Sequence, residues 1–309
     1  MRRILLLLFA CFCLGVHVSA QSNIRINNYW ENTYQINPGA MISEYQFVGS
    51  AAARKQWMNF PGAPVTEYLT FTAKLFTNRT HSTQIGQLGI KVFHDRIGYT
   101  DLINLSPSYS YSARLNLRWA LNMGAAYKVQ NYYYDFGEAT TDVTNDPAIS
   151  NARQSWTVHN VDVGVELVSY KVLFGVSVVN LISLFNGDDE YQSNTNFAYA
   201  MYKGKLDRTF SLLSGLCLIN NKNIYQAEFK LSVLAESRRF PDVEVGAFYR
   251  TRKEFGLLLG MDLNENLRLA LSYDYNVSGI IHSSYGTPEV QLIWKFGKIK
   301  NCECEEFLR

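Results

Sequence analysis

Histidine, the side chain most common in catalysis and metal binding, occurs only singly along this 309-residue chain. Its five histidines are scattered without regular spacing: His17, His81, His94, His159 and His282. The sequence lacks the His-Glu-x-x-His pair with which zinc hydrolases place two imidazoles on one helix face. It also lacks a Gly-x-Ser-x-Gly elbow that would present a nucleophilic serine. We therefore predict no catalytic residue, no cofactor and no metal site.

Two residue groups leave other chemistry open. Cys302 and Cys304 could together bind a soft metal, or either could bond to a partner's cysteine. A disulfide between the two would be strained, and a flexible tail without a partner is the third interpretation. The acidic run Asp188–Glu190 resembles a fragment of a calcium site, but a solvated loop explains it more simply.

Apolar and polar side chains alternate along most of the chain, with clear examples in 65–76, 225–235 and 267–275. Alternation with a period of two is typical of a β-strand that has one face in lipid and the other in a polar interior. Unpaired charges inside a narrow lumen are unfavourable, so we expect inward charges to pair across it. The expected inward charges are Arg118, Asp162, Glu166, Glu228, Lys230 and Asp274.

About fourteen such segments predict an all-β fold, a transmembrane antiparallel β-barrel. The predicted strands are 45–57, 65–76, 84–93, 102–113, 117–135, 156–168, 171–180, 196–203, 208–219, 223–235, 243–250, 254–263, 267–276 and 287–297. The three longest connections, 136–155, 181–195 and 277–286, follow strands five, seven and thirteen. Because long connections of such barrels lie outside the cell, this pattern predicts that both termini are periplasmic.

The start of the chain is typical of a secretory signal peptide. Two arginines precede an apolar stretch that is too short to span a membrane, and small residues up to Ala20 suit cleavage before Gln21. A lipoprotein cleaved before Cys11 is the alternative. We divide the chain into a signal peptide 1–20, an irregular N-terminal segment 21–44 in the periplasm or the lumen, a barrel 45–297 and a periplasmic tail 298–309.

Composition narrows the class of protein further. The chain has 29 Lys and Arg against 27 Asp and Glu, so no basic surplus indicates a nucleic-acid partner. It has 20 Tyr and 18 Phe but only 7 Pro, which is unusual for a soluble enzyme and typical of a barrel with an apolar outer belt. We therefore expect a protein of the cell outer membrane, surrounded by outer-membrane lipid.

Short motifs follow one another in the first half of the chain. They are Tyr-Gln-Ile-Asn-Pro-Gly-Ala at 34–40, Arg-Lys-Gln-Trp at 54–57, Phe-Pro-Gly-Ala-Pro-Val-Thr at 60–66, His-Asp-Arg-Ile-Gly at 94–98, and the tyrosine-bearing segment 105–115. In this order they resemble the PorP/SprF family of the Bacteroidetes type IX secretion system. The resemblance covers mainly 34–115, and Gly39 stands where the family usually has Ala.

The resemblance implies an outer-membrane barrel that supports export or surface retention of large secreted proteins, including gliding adhesins, together with other type IX components. Aromatic residues beside long loops are common protein anchors, and here they are Tyr132, Tyr133, Tyr134, Phe136 and Trp156. The alternative function is an outer-membrane channel for a small or hydrophobic solute. A membrane-embedded hydrolase is a third hypothesis that no motif favours.

Overall fold

The computed structural model describes residues 26–41, 45–75, 84–116, 118–135, 153–185, 193–222, 224–237, 240–251, 254–277 and 284–298. Helical turns in these ranges are the short 3-10 segments Asn28–Glu31, Thr33–Gln35 and Leu181–Leu184. Within the same ranges, no helix has the length and apolar character that crossing a membrane requires.

Fourteen antiparallel strands form one closed sheet. They are β1 Tyr45–Lys55, β2 Val65–Leu75, β3 Gln84–Ile97, β4 Thr100–Arg114, β5 Ala120–Asp135, β6 Arg153–Val168, β7 Val172–Val179, β8 Thr195–Lys205, β9 Phe210–Asn221, β10 Ile224–Ala235, β11 Val243–Arg250, β12 Glu254–Asn264, β13 Leu267–Asn276 and β14 Thr287–Lys298. Each strand pairs with its sequence neighbours, and β14 returns to β1 with Phe47 opposite Phe296. The predicted transmembrane barrel is confirmed.

Alternation of side chains decides which face of each strand meets lipid. In β10 the Glu228 side chain is fully buried in the lumen, whereas the next residue, Phe229, is 50% exposed on the outer wall. A closed sheet is stable in the hydrocarbon core of a membrane because its outer wall is apolar and its backbone groups are paired. The inward direction predicted for Lys230 is confirmed, but that for Arg118 is wrong, because Arg118 is exposed in the connection between β4 and β5.

The two ends of the barrel differ in their connections. One end, here called the long-connection end, carries the links after odd-numbered strands: 56–64, 98–99, 136–152, 180–194, 222–223, 251–253 and 277–286. The opposite, short-connection end carries 76–83, 115–119, 169–171, 206–209, 236–242 and 265–266. The first residue of β1 and the last residue of β14 both lie at the short-connection end.

Residues 26–41, called the plug from here on, lie inside the barrel. Most of their side chains are buried, including Asn27, Trp30 and Asn37. Hydrogen bonds and ion pairs join the plug to β1–β4, β6–β8, β10, β11, β13 and β14. The lumen is therefore a packed polar interior across this part of its length.

Candidate functional site

Two aromatic side chains of the plug bind one carboxylate of the wall. The hydroxyl of Tyr29 donates to Glu228 Oε1 at 2.9 Å, and the Trp30 indole N–H donates to the same oxygen. The Trp30 ring lies over Gly215, where a Cβ would come within 2.5 Å of the ring. Glycine at this position in β9 thus makes room for the indole.

The turn at Asn37–Gly39 rests on a pair of glycines. Gly124 in β5 and Gly164 in β6 face each other across the ladder. A Cβ on Gly124 would collide with the Pro38 carbonyl, and one on Gly164 would collide with the Asn37 side chain. The Pro38 oxygen also accepts a hydrogen bond of 2.6 Å from Ser110 Oγ. This glycine seat brings the plug backbone against the wall.

A third contact of this kind involves Tyr34. Its hydroxyl shares a 2.5 Å hydrogen bond with Ser108 Oγ and occupies the space that a side chain on Gly89 would need. Burial raises the pKa of Tyr34 to about 12. The phenol therefore stays neutral and hydrogen-bonded at physiological pH.

Glu31 connects the plug to a buried charge cluster near the short-connection end. Arg268 Nε lies 2.7 Å from Glu31 Oε2, and its two other nitrogens bind Glu244 at 2.6 Å and Asp262 at 2.8 Å. Lys230 Nζ lies 2.9 Å from Glu244 and 3.8 Å from Glu31. Ionised groups persist in a narrow interior when each has an opposite charge beside it, so this cluster fixes the plug in place.

Arg250 organises a second cluster nearer the long-connection end. Its guanidinium contacts Glu228 and lies 3.2 Å from Asp274 and 3.3 Å from Glu254. Its remaining nitrogen donates to Asn27 Oδ1 at 2.8 Å. One arginine therefore holds three carboxylates together and binds the plug as well.

A cavity of about 150 Å³ lies between the plug and the long-connection end. Its lining mixes apolar side chains with polar and charged ones. The apolar ones include Ile26, Ile36, Phe197 and Ile219, and the charged ones are Lys91, Lys128, Glu228 and Arg250. Small-molecule sites commonly combine such an apolar lining with a few polar groups. The cavity can therefore hold a small apolar group.

The structure brings together three of the five aromatic residues proposed from sequence as partner contacts. The Trp156 ring stacks on Tyr132 at 5.5 Å and on Tyr134 at 4.9 Å between ring centroids, within the lumen towards the long-connection end. Tyr133 alternates with its neighbours and faces the opposite side of the wall. Phe136 lies outside the described residues.

The sequence motifs of the first half of the chain meet near the plug and the long-connection end. Residues 34–40 belong to the plug itself. Arg54 lies 3.6 Å from Glu289, whose carboxylate accepts the two backbone N–H groups at the start of the plug. The Gly98 N–H donates to the Gly62 carbonyl at 3.1 Å, so the turns of two motifs touch.

Sequence reasoning missed the side chains that anchor the plug, namely Tyr29, Trp30 and Glu31. A partial signal for the plug as a whole exists in the wall, where glycines occupy inward positions of several strands. The inward glycines that make room for the plug are Gly89, Gly124, Gly164 and Gly215, whereas others, such as Gly175 and Gly256, make room for side chains of neighbouring strands. Each of the first four marks a place where the interior must accommodate something other than a strand side chain.

The structure does not assemble a metal site from the described residues. Across the described residues, no three His, Cys, Asp or Glu side chains gather in a way that could hold a metal ion. Cys302, Cys304 and Asp188–Glu190 lie outside the described residues, so the interpretations offered for them stay predictions.

Comparison with known proteins gives both a family and a fold. The type IX secretion system membrane protein PorP/SprF family matches residues 18–294. Among solved structures, the Ralstonia pickettii toluene transporter TbuX is similar with a TM-score of 0.53 at 7% identity, over 87% of this chain and 94% of that chain. The Acinetobacter baumannii outer membrane protein Omp33 has a TM-score of 0.49 at 10% identity, over 83% of this chain and all of that chain. A search among proteins of curated function finds no match.

A closed barrel of fourteen strands with an apolar outer belt and a polar interior defines an outer-membrane protein. The family match runs from before the plug into the last strand. The chain therefore belongs to the PorP/SprF family of type IX secretion system membrane proteins.

Proposed function

We propose that this protein holds a large secreted or surface protein at the outer membrane and supports its export or retention, together with other components of the type IX secretion and gliding system. The observation that carries the proposal is that the plug obstructs the lumen in a member of a secretion family. The role requires binding alone, and we propose no enzymatic step.

The contacts of the plug favour a barrel that binds a protein over a barrel that lets a solute through. If the plug left the lumen, Arg268 would lose Glu31 and Glu289 would lose two backbone donors, among many other contacts. A hydrogen bond to a charged group contributes about 1.5–3 kcal/mol, so displacing several of them requires a comparable gain elsewhere. Solute flow would have to supply that gain at every opening event.

We also propose that the long-connection end faces the cell exterior and the C-terminal tail faces the periplasm. Support comes from connection length, because outer-membrane barrels have short periplasmic turns and longer outer loops. A periplasmic N-terminus was predicted from sequence as well, but Gln21 lies outside the described residues. Ile26, where the described plug begins, packs beside residues in the half of the lumen nearer the long-connection end.

A channel for a small or hydrophobic solute is the second candidate, and the cavity beside the plug, lined in part by apolar side chains, favours it. The two candidates differ in whether anything crosses the barrel. A channel needs a continuous path past the plug, whereas an anchor needs one exposed binding face.

Deletion of the gene tests the proposal. We expect the deletion strain to release, or fail to display, one or a few large surface proteins while uptake of labelled small solutes is unchanged. Purified wild-type barrel in a planar bilayer should show no steady conductance. A strain that keeps its surface proteins but loses uptake of a solute would support the channel instead.

A further inference from the structure

Strand β6 extends beyond its neighbour β7 at the long-connection end. The ladder between these two strands covers only 163–168 of β6. On its other side β6 pairs with β5 along its whole length, from Val168 to Arg153. Within the described residues, no second strand pairs with 153–162, so this part of β6 is an edge of the sheet.

Polar side chains end the β6–β7 ladder. Asn180, the residue after β7, has a φ of 60° and so leaves the extended conformation of a strand. Its N–H donates to Asp162 Oδ1 at 2.9 Å. The Val161 N–H takes Asn160 Oδ1 at 2.9 Å, in place of a carbonyl on a neighbouring strand. The stretch beyond these residues, 153–159, is called the β6 edge from here on.

The backbone groups of the β6 edge point alternately towards β5 and away from it. The Ser169 N–H donates to the Val172 carbonyl at 2.8 Å, which places the N–H and C=O groups of odd-numbered residues on the β7 side. The β5–β6 ladder keeps one register throughout, so this alternation holds to the end of the strand. The backbone groups of Ser155, Thr157 and His159 therefore point to the side that β7 does not reach.

The β6 edge lies beyond the hydrocarbon layer. The outward side chains of Ser155, Thr157 and His159 are polar and exposed, whereas Val163 and Val165 on the same face are apolar. An unpaired sheet edge is not stable in lipid, because its N–H and C=O groups would lack partners. Past the lipid, water or another chain can reach these groups.

The β6 edge lacks the residues that usually protect a sheet edge from further pairing. Such protection comes from lysine, proline, bulges or inward-pointing charges. Residues 154–159 read Gln-Ser-Trp-Thr-Val-His, without lysine, proline, aspartate or glutamate. Tryptophan, threonine and valine favour strands. This sequence is therefore suited to pair with one more strand.

Side chains on the two faces of β6 indicate the pattern of that strand. On the lumen side, Trp156 and Val158 pack in the cluster that contains Tyr132. On the outer side, Ser155 and Thr157 are polar. Side chains of paired strands lie next to each other on each face. The added strand would therefore alternate apolar residues towards the lumen with polar residues towards the outside.

We propose that the β6 edge receives one extended strand, of this alternating pattern, from the secreted or surface protein that the barrel holds. The inference rests on the proposed function. Addition of a strand to an exposed edge supplies backbone hydrogen bonds for affinity and neighbouring side chains for specificity. Closure of a barrel removes sheet edges, so the short β7 leaves an edge that the fold would otherwise lack.

Hydrogen exchange in the purified barrel, followed by NMR in detergent micelles, tests whether the edge is open. The amides of Ser155 and Thr157 should exchange at least about tenfold faster than those of Trp156 and Val158, because only the latter two donate to β5. Equal rates at the four amides overturn the proposed edge, whether another segment of the chain covers it or β6 opens as a whole.

Proline substitution tests the partner strand in cells. Thr157→Pro removes an N–H that points away from β5, so the barrel ladder is kept while the edge loses a donor. The control Tyr170→Pro places proline in the turn at the other end of the same hairpin, where φ is not positive. In the deletion strain, Tyr170→Pro should restore surface-protein display and Thr157→Pro should not. Ser155→Pro replaces Thr157→Pro if the latter shows no heat-modifiable migration.

Photo-crosslinking identifies the occupant. p-Benzoylphenylalanine in place of Ser155 should crosslink to the same surface protein that the deletion strain loses, whereas in place of Thr209, exposed in a short turn, it should not. Normal display with Thr157→Pro, or no crosslink to that protein, overturns the partner strand, and a crosslink between barrels would make a second copy the occupant. Unchanged display after deletion refutes the proposed function itself, while the exchange result for the edge stands.

Discussion

Arg250 shows how single residues keep a polar lumen stable. Glu228, Glu254 and Asp274 all approach its guanidinium, which also lies 4.6 Å from the Phe248 ring centroid. Without the arginine these carboxylates would be left close to one another in a buried site. Removal of one partner from a buried ion pair typically destabilises a protein by about 3–5 kcal/mol.

We predict that Arg250→Met lowers the free energy of unfolding by about 3–5 kcal/mol. Methionine keeps the apolar contact with Phe248 but removes the charge. Adding Glu228→Gln to this variant should recover part of the lost free energy of unfolding, because it removes one of the carboxylates that the arginine no longer neutralises. Guanidinium titration of all four proteins in lipid vesicles gives the coupling energy. Losses that simply add would contradict the shared cluster.

A second prediction at this scale concerns the outer wall. Leu259 lies in the middle of β12 and Leu263 near its short-connection end, and both side chains are 43% exposed on the lipid side. Leu259→Arg should destabilise the barrel by about 2–4 kcal/mol and Leu263→Arg by about 0–1 kcal/mol, because the effect depends on depth. Vesicle unfolding measures both. Equal losses would contradict the placement of Leu259 near the middle of the membrane and of Leu263 near its edge.

At the scale of elements, the plug depends on the shape of the wall. The glycine pair of β5 and β6 is placed where the Asn37–Gly39 turn comes closest to the sheet. A β-strand gains little from glycine, which has no side chain to pack. The fit to the plug is the physical reason for glycine at these inward positions.

We predict that Gly124→Val displaces the plug and leaves the barrel inserted. The new side chain would collide with the Pro38 carbonyl, so the turn must move away from the wall. Channel openings should then appear in planar bilayers, and proteases should cleave within 26–41. Ala125→Val, on the lipid-facing side of the same strand, is the control and should stay closed. If neither variant shows channel openings, the glycine seat does not hold the plug.

The strands could be predicted from sequence because their pattern is local. Predicted strands 243–250 and 254–263 agree with β11 and β12 to within one residue. The prediction for β3 stopped at 93, whereas the strand continues to Ile97. Near the rim the outer face leaves the hydrocarbon, so outward residues such as His94 and Arg96 are polar and the contrast between faces disappears.

The plug could not be predicted because its contacts are remote. Tyr29 binds a carboxylate 199 residues away, and Asn27 binds one 262 residues away. The alternation of apolar and polar residues in the sequence does not indicate such pairs. The inward position of Tyr132 and Tyr134 could have been predicted, since they share the even-numbered face of β5 with Lys128.

At the scale of the whole molecule, the lumen is divided along its axis. The half towards the short connections holds the cluster around Arg268, which binds the plug through Glu31. The half towards the long connections holds the cavity and the stacked aromatic rings. Under the proposed function, the half towards the long connections faces the side on which the partner is displayed.

Orientation can be measured by cysteine labelling in intact cells. Cys217 is fully buried and should not react with the label, and Cys302 and Cys304 are replaced by Ser. In that background, a membrane-impermeant maleimide should label Phe60→Cys, whose parent residue is 45% exposed in the first long connection. Leu206→Cys, at a position that is 61% exposed in a short turn, should be labelled only after the cells are lysed. The reverse result would place the long-connection end in the periplasm, where a displayed surface protein could not reach the β6 edge.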